Sequence, residues 1–117
     1  MSSISVSFEA TSYRPGDAIS GTVNWQAAQA DSVEIRLFWF TRGKGDTDHH
    51  TVDSVQLASP GSSGSHRFSL KLPESPYSFS GKLISLVWAI EAFLEPSEEV
   101  DRREFTLSPN GREVVLT

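Results

Sequence analysis

The densest group of side chains that could bind a metal ion lies in the sequence Asp46-Thr47-Asp48-His49-His50. Imidazole nitrogens and carboxylate oxygens are common metal ligands, so the candidate ligands are Asp46, Asp48, His49 and His50. Adjacent residues of a β-strand point to opposite faces, so two neighbouring histidines can share one ion only in a loop. The spacing matches no closed metal motif. We therefore interpret the segment as a polar hairpin tip and expect neither a bound metal nor another cofactor.

Other groups that catalysis needs are not arranged as known sites require. The serines of Gly61–Ser65 lie among glycines, but no Gly-x-Ser-x-Gly sequence occurs and no neighbouring base is evident. Gly43-Lys44-Gly45 is too short for a phosphate-binding loop. Four acids flank one proline, an arrangement more typical of an exposed loop than of a glycosidase pair. They are Glu95, Glu98, Glu99 and Asp101. We predict that the protein is not an enzyme.

Apolar and polar residues alternate with a period of two along almost the whole chain, and no segment has sustained helical spacing. This pattern predicts seven or eight strands separated by turns rich in Gly, Pro and Ser. The predicted fold class is all-β, an antiparallel immunoglobulin-like β-sandwich. The predicted strands are Ile4–Phe8, Ile19–Trp25, Val33–Phe40, Asp48–Leu57, His66–Leu72, Leu83–Glu95, Val100–Ser108 and Val114–Leu116.

Three places depart from regular strand patterning. Gly21 interrupts its strand, which indicates a bulge or a close approach of another backbone. Val52 is out of phase with Val55 and Leu57, which indicates a bulge or an edge strand. The segment Ser59–Ser65 is rich in Ser and Gly, and we predict a flexible loop there.

Length, composition and charge restrict the function further. The chain has 117 residues, 38% of them hydrophobic, which suits one domain spanning residues 1–117. Ten basic and 15 acidic residues give a net charge of −5, which disfavours nucleic-acid binding. Without cysteine there is no disulfide, and no apolar run is long enough for membrane insertion. The N-terminus has no signal-peptide pattern, so we expect a cytoplasmic protein.

A second apolar face is the feature of greatest functional interest. Within the predicted strands, apolar residues also occur on the face opposite the core, and these are Phe38, Phe40, Leu83, Val87 and Phe93. One interpretation is that loops or strand twist cover them. The other is a protein-interaction surface, since contiguous exposed apolar patches usually mark one.

Two segments of the chain resemble the arrestin-like family. Tyr13–Val23 matches the family hairpin Y-x-P-G-D-x-I-x-G-x-V, and Phe68–Leu94 is similar to its proline-containing turn and central strand. Bacterial sporulation-control arrestin-like proteins and the arrestin-like retromer subunit are similar at this level. The resemblance covers about residues 4–108 and implies an arrestin-like sandwich of the N-terminal type.

The resemblance implies a non-catalytic protein-interaction or scaffold module whose partner is a protein of unknown identity. Such proteins usually carry two sandwiches in tandem, whereas this sequence contains one. We therefore expect the interdomain switch to be absent and a second copy of the chain to be a candidate partner. β-strand addition at the Asp48–Leu57 edge is a second binding mode. The alternative function is a small-ligand or metal-binding sandwich that uses the Asp46–His50 tip.

Overall fold

A computed structural model describes residues 3–27, 30–43, 48–58, 61–81, 84–110 and 114–115. The described residues form ten strands and no helix, which confirms the predicted all-β class. The strands, numbered in chain order, are β1 (Ser3–Phe8), β2 (Ser12–Tyr13), β3 (Ala18–Gln26), β4 (Ser32–Gly43), β5 (His49–Ala58), β6 (Ser63–Lys71), β7 (Phe79–Ser80), β8 (Ile84–Glu95), β9 (Glu99–Leu107) and β10 (Val114–Val115).

The strands form two sheets that face each other across the core. The small sheet has the antiparallel order β1-β3-β6. In the large sheet the path is β10-β7-β8-β4-β5, and β8 also pairs with β9 beyond its contact with β7. Two short strands, β2 and β7, were not predicted from the sequence. Two residues are too few to show any alternation. Both strands make parallel bridges, β2 to β9 and β7 to β10.

The core lies between the sheets and contains the inward residues of every long strand. Trp88 and Ile90 of β8 are fully buried there, in the same cluster as Val23 and Ile19 of β3. Trp25 is buried and Trp39 is half-buried against the same core, as their phase in the sequence predicts. Burial of this apolar area is the main source of stability.

The side of the sandwich where β1 approaches β9 is closed by specific contacts. The backbone N–H of Val6 donates a hydrogen bond of 2.9 Å to the Asp101 carboxylate. Phe8, Tyr13 and Phe105 make edge-to-face ring contacts with one another. Burial raises the pKa of Tyr13 above its ordinary value, and the hydrogen bond from the Ala10 N–H opposes that rise. These contacts join the two sheets along one side.

A tight turn follows β2, within the Tyr13–Val23 hairpin. Gly16 adopts a φ of 83°, and the Asp17 N–H donates to the Arg14 carbonyl at 3.0 Å. The Asp17 carboxylate accepts a second hydrogen bond from the Arg14 N–H at 2.8 Å. Gly16 provides the positive φ, and Asp17 closes the turn by bonding the Arg14 backbone with both its N–H and its carboxylate.

Gly21 is the site of a close backbone approach, one of the two alternatives predicted for it. The register of β3 with both neighbours is unbroken there. A Cβ at Gly21 would lie 2.1 Å from the Ser7 carbonyl oxygen and 2.8 Å from the Phe68 ring. Only glycine leaves room for this contact.

The prediction of a loop over Ser59–Ser65 is wrong in its second half. β6 begins at Ser63, and Ser63, Gly64 and Ser65 pair with the end of β3. Gly64 lies directly against Trp25, since a Cβ there would be 2.7 Å from the indole ring. Ser63, Gly64 and Ser65 are small enough for the strand to pass over the Trp25 indole. Because a run of Ser and Gly is also typical of a linker, the sequence suggested a loop. Ser59 and Pro60 lie outside the described residues.

β5 has both features proposed for the Val52 irregularity. Leu37 of β4 pairs with Asp53, and the next residue, Phe38, pairs with Thr51, so Val52 is the extra residue of a bulge. β5 is also at the end of the strand order in the large sheet. The bulge sets which β5 side chains reach each face of that sheet.

Candidate functional site

Phe38 and Phe40 lie on the outer face of the large sheet, away from the core. β4 points Leu37 into the core, and its neighbours in sequence therefore point outward. Across the β4–β8 pairing, Phe38 is opposite Ala89 and Phe40 is opposite Val87. These four side chains form a separate apolar cluster, here called the Phe38–Phe40 cluster. The fold thus brings together three of the residues predicted on a second apolar face, Phe38, Phe40 and Val87.

Two arginines cover this cluster. The Arg102 guanidinium carbon lies 5.1 Å from the Phe38 ring centroid and 5.2 Å from that of Phe40. The Arg42 guanidinium carbon lies 5.3 Å from the Phe40 centroid. All three distances are within the range of cation–π attraction. As a result Phe38 and Phe40 are only 5% and 7% exposed, although they lie outside the core.

Two glutamates hold the arginines in place. Glu91 accepts hydrogen bonds from Arg102 Nε at 3.3 Å and Nη2 at 3.0 Å. Glu104 accepts one from Arg42 Nη2 at 2.8 Å. The Arg102 and Arg42 side chains remain 42% and 60% exposed, so each presents part of its guanidinium to solvent. The outer face is therefore an aromatic layer beneath oriented cations.

Ala89 provides the space that Arg102 needs. Arg102 is on β9, whereas the phenyl rings are on β4, and β8 runs between these two strands. At the crossing point β8 carries Ala89, which is fully buried. A larger side chain at position 89 would occupy the volume through which Arg102 reaches the rings.

The β5 bulge places His49 beside the same rings. Phe40 is paired with His49, and the imidazole stacks near both rings at centroid distances of 6.4 Å (Phe38) and 6.1 Å (Phe40). His50 points to the other face, where it stacks on Trp39 at 5.5 Å. The two histidines thus belong to different faces of one strand, and their rings are engaged by different aromatic residues.

The candidate metal ligands stay dispersed in the part of the chain that the structure covers. Asp48 lies at the start of the returning strand, where its N–H donates to Thr41 Oγ1 at 2.9 Å. Among the described residues no three His, Cys, Asp or Glu side chains converge as a metal site. Asp46 lies outside those residues, so the predicted set as a whole stays a prediction. Nothing in the described part favours the alternative small-ligand function at this tip.

The remaining interaction candidates lie beside the cluster or beyond the described residues. Phe93 is half-buried on the outer face, with the Arg36 guanidinium carbon 6.0 Å from its ring centroid. Arg36 also forms ion pairs with Glu34 and, at 3.7 Å, with Glu91. Glu91 therefore lies between two arginines. Leu83 is outside the described residues.

Sequence reasoning missed the residues that cover the aromatics. Arg42, Arg102 and Glu91 were not among the predicted site residues. The alternation of β9 could have placed Arg102 and Glu104 on the outer face, because both alternate with inward residues of that strand. The register that sets Arg102 opposite Glu91 joins strands separated by a turn, and alternation alone does not give it.

Two depressions reach the outer face in the described part of the chain, and Arg42, Val87 and Glu104 help to line the larger one, of 380 Å³. A cavity of 250 Å³ is lined by Arg36, Phe38, His49, Thr51, Glu91 and Arg102. Small-molecule sites usually enclose about 300–1,000 Å³. The 250 Å³ depression beside Phe38 and His49 is below this range, whereas the 380 Å³ depression is within it.

Comparisons with known proteins define the fold. The chain is similar to the sporulation control protein Spo0M of Bacillus subtilis, with a TM-score of 0.71 and 19% identity over 92% of this chain. The fold is therefore an all-β, arrestin-like β-sandwich, as the sequence resemblance implied. The likeness covers 49% of the Spo0M chain, so this chain spans about half of its length.

Other comparisons add little. A structure of Pseudomonas fluorescens alkylpurine DNA glycosylase AlkC bound to DNA matches with a TM-score of 0.48 and 9% identity, over 92% of this chain and 30% of the other. That likeness is too distant to support an inference. No family model and no curated protein sequence matches the chain. Within the residues that the structure describes, we find no helix with the length and hydropathy needed to span a membrane.

Proposed function

We propose that this chain is a non-catalytic protein-interaction module of the arrestin-like type, and that its partner binds the outer face of the large sheet. One observation carries the proposal. Arg42 and Arg102 lie over the Phe38–Phe40 cluster, and both are held by glutamates while part of each side chain stays exposed. A partner would contact these two side chains first.

Held arginines are well suited to protein recognition. An arginine that already lies on an aromatic ring loses less conformational freedom on binding than a mobile one. Arginine and aromatic residues are also the types that most often dominate the energy of protein interfaces. Because Glu91 and Glu104 occupy only part of the donor capacity, carboxylates or backbone carbonyls of a partner can accept the remaining hydrogen bonds.

The likeness to Spo0M supports a regulatory rather than a catalytic function. That protein is described as a sporulation control protein, and this chain shares its fold over about half of its length. Fold likeness at 19% identity does not transfer a partner or a pathway. The cytoplasmic setting also remains a prediction. The proposal therefore names the binding surface and leaves the partner to experiment.

A double substitution of Arg42→Lys and Arg102→Lys tests the proposal. Lysine keeps the charge but loses the planar stacking and the forked hydrogen bonds of arginine. Partners would first be identified by cross-linking to the wild-type chain and mass spectrometry, then purified for titration. We expect the double variant to bind at least about tenfold more weakly, equivalent to about 1.4 kcal/mol.

Arg67→Lys is the matched control, because Arg67 is an exposed arginine on β6 of the small sheet. It should leave partner affinity unchanged. Equal loss in the control would show that the binding does not depend specifically on the outer face, and unchanged affinity in the double variant would contradict the proposal. Circular dichroism of each variant verifies that the sandwich is folded.

A further inference from the structure

β5 has a free edge in the described structure. It pairs with β4 along His49–Ala58, and no other described strand pairs with it. A free edge presents unpaired N–H and C=O groups that can form hydrogen bonds with another strand. Natural sheets usually block such edges with bulges, charges, prolines or a covering segment.

The two halves of β5 differ in this protection. The first half contains the bulge at Val52 and the charged residue Asp53. The second half, Ser54–Ala58, contains no charge and no proline, and its register with β4 is unbroken. The nearest charges of β4 on that face, Glu34 and Arg36, pair with each other. This second half is therefore a regular and uncharged edge.

The side chains of this half are complementary to their own copy. Val55 and Leu57 point toward the core and are half-buried, whereas Ser54 and Gln56 are exposed on the other face. Two antiparallel copies related by a two-fold axis at Gln56 would place Val55 of each chain opposite Leu57 of the other. Gln56 would face Gln56, and the backbone of Ser54 would pair with that of Ala58. The Val55–Leu57 and Gln56–Gln56 pairs then join side chains of the same face, as an antiparallel ladder requires.

We propose that two copies of this chain pair through Ser54–Ala58 and join their large sheets into one continuous sheet. We assign a second copy to the β5 edge because this register places the apolar Val55 of each chain opposite the apolar Leu57 of the other. It also brings no like charges together, although each chain has a net charge of −5. One strand pair buries less than the roughly 1,200 Å² of a standard interface, so the dimer is weak and depends on concentration.

The proposal is independent of the proposed partner site. Arg42 and Arg102 do not lie on β5, and the pairing uses the strand edge, not the outer face. Dimerisation through this edge leaves the arginines exposed. Each of the two proposals can therefore fail without the other.

The absence of cysteine allows a direct test. In Gln56→Cys the two thiols lie on the axis, and facing Cα atoms of an antiparallel pair are about 5.5 Å apart, within the range of a disulfide. In the control Ser54→Cys each thiol lies two residues from the axis. Its own copy is then about 13 Å away, which is too far for a disulfide. We expect mild oxidation at high protein concentration to cross-link Gln56→Cys at least about tenfold faster than Ser54→Cys.

A second variant tests the same register without oxidation. Gln56→Lys places two like charges opposite each other, which destabilises a cross-strand pair. Sedimentation equilibrium should show a clear loss of dimer for Gln56→Lys and no loss for Arg102→Lys. Equal cross-linking at positions 54 and 56 would overturn the proposal. So would a wild-type chain that remains monomeric at high concentration, or a dimer that persists in Gln56→Lys.

Discussion

At the scale of single residues, the outer face depends on a few side chains with exact size requirements. Arg102 contacts two phenyl rings and a carboxylate at once, and this is possible because of its length and planarity. A lysine would supply the charge but not the stacked plane. The rings beneath are buried by this side chain and by Arg42, outside the main core. The groups that this surface exposes are thus guanidinium groups, and the aromatic rings lie beneath them.

Gly21 cannot be replaced by a larger residue without a clash, because the Ser7 carbonyl and the Phe68 ring lie too close to it. In Gly21→Ala the new methyl group would meet the Ser7 carbonyl and the Phe68 ring at distances that real Cβ atoms do not show. We expect a loss of about 1–3 kcal/mol in the free energy of unfolding, measured by urea denaturation. Ser20→Ala, an exposed substitution in the same strand, should change stability by less than about 0.5 kcal/mol. Equal stability of the two variants would contradict the close approach.

At the scale of elements, β8 connects the core to the outer face. Ala92 points into the core and Ala89 points outward, and both are fully buried. The two alanines therefore allow the same substitution to be compared on opposite faces of one strand.

Ala92→Leu should destabilise the protein by about 1–3 kcal/mol, because the core has no space for the added atoms. Ala89→Leu should cost less, since Arg102 can move outward into water. It should also abolish the ring-current shifts of the Arg102 side-chain protons in NMR spectra. If Ala89→Leu left those shifts intact, Ala89 would not be the gap through which Arg102 reaches the rings.

The long strands were predictable from the sequence because most of them alternate over many residues. For Ile19–Trp25 the period of two is set by the burial of one face, whereas Leu83–Glu95 was indicated by its length and its aromatic and branched residues. Three other features depended on contacts between distant parts of the chain. The start of β6 at Ser63 depends on pairing with β3, the bridge at Ser12 depends on β9, and the arginine cover depends on the register of three strands. Local composition does not contain this information.

The outer-face prediction named three residues of the cluster and did not identify the side chains that cover them. Phe38, Phe40 and Val87 form one cluster, as their shared phase indicated. Their burial comes from arginine side chains, whereas the sequence offered loops or strand twist as the cover. Whether this face is an interaction surface stays a prediction until a partner is measured.

At the scale of the whole molecule, one core unites the two sheets. Val23 of the small sheet and Trp88 of the large sheet belong to the same buried cluster. If the two sheets separated, the apolar face of each would be exposed to water. The sandwich should therefore unfold as a single unit.

Differential scanning calorimetry of the dilute chain measures this cooperativity. We expect one transition with an enthalpy near 80 kcal/mol, from about 0.7 kcal/mol per residue near 60 °C. The ratio of the calorimetric to the van't Hoff enthalpy should be close to one. Two resolved transitions, or a ratio well above one, would show that the sheets unfold separately.

The bulge at Val52 has a consequence for how relatives of this chain should be aligned. Because one extra residue reverses the phase of a strand, it decides which of the adjacent histidines stacks on the phenyl rings and which stacks on Trp39. A relative with a hairpin one residue shorter would have these roles exchanged even if every side chain were identical. An alignment that places its gap by residue identity would then equate side chains from opposite faces. In this hairpin, an insertion or deletion changes the surface more than a substitution does.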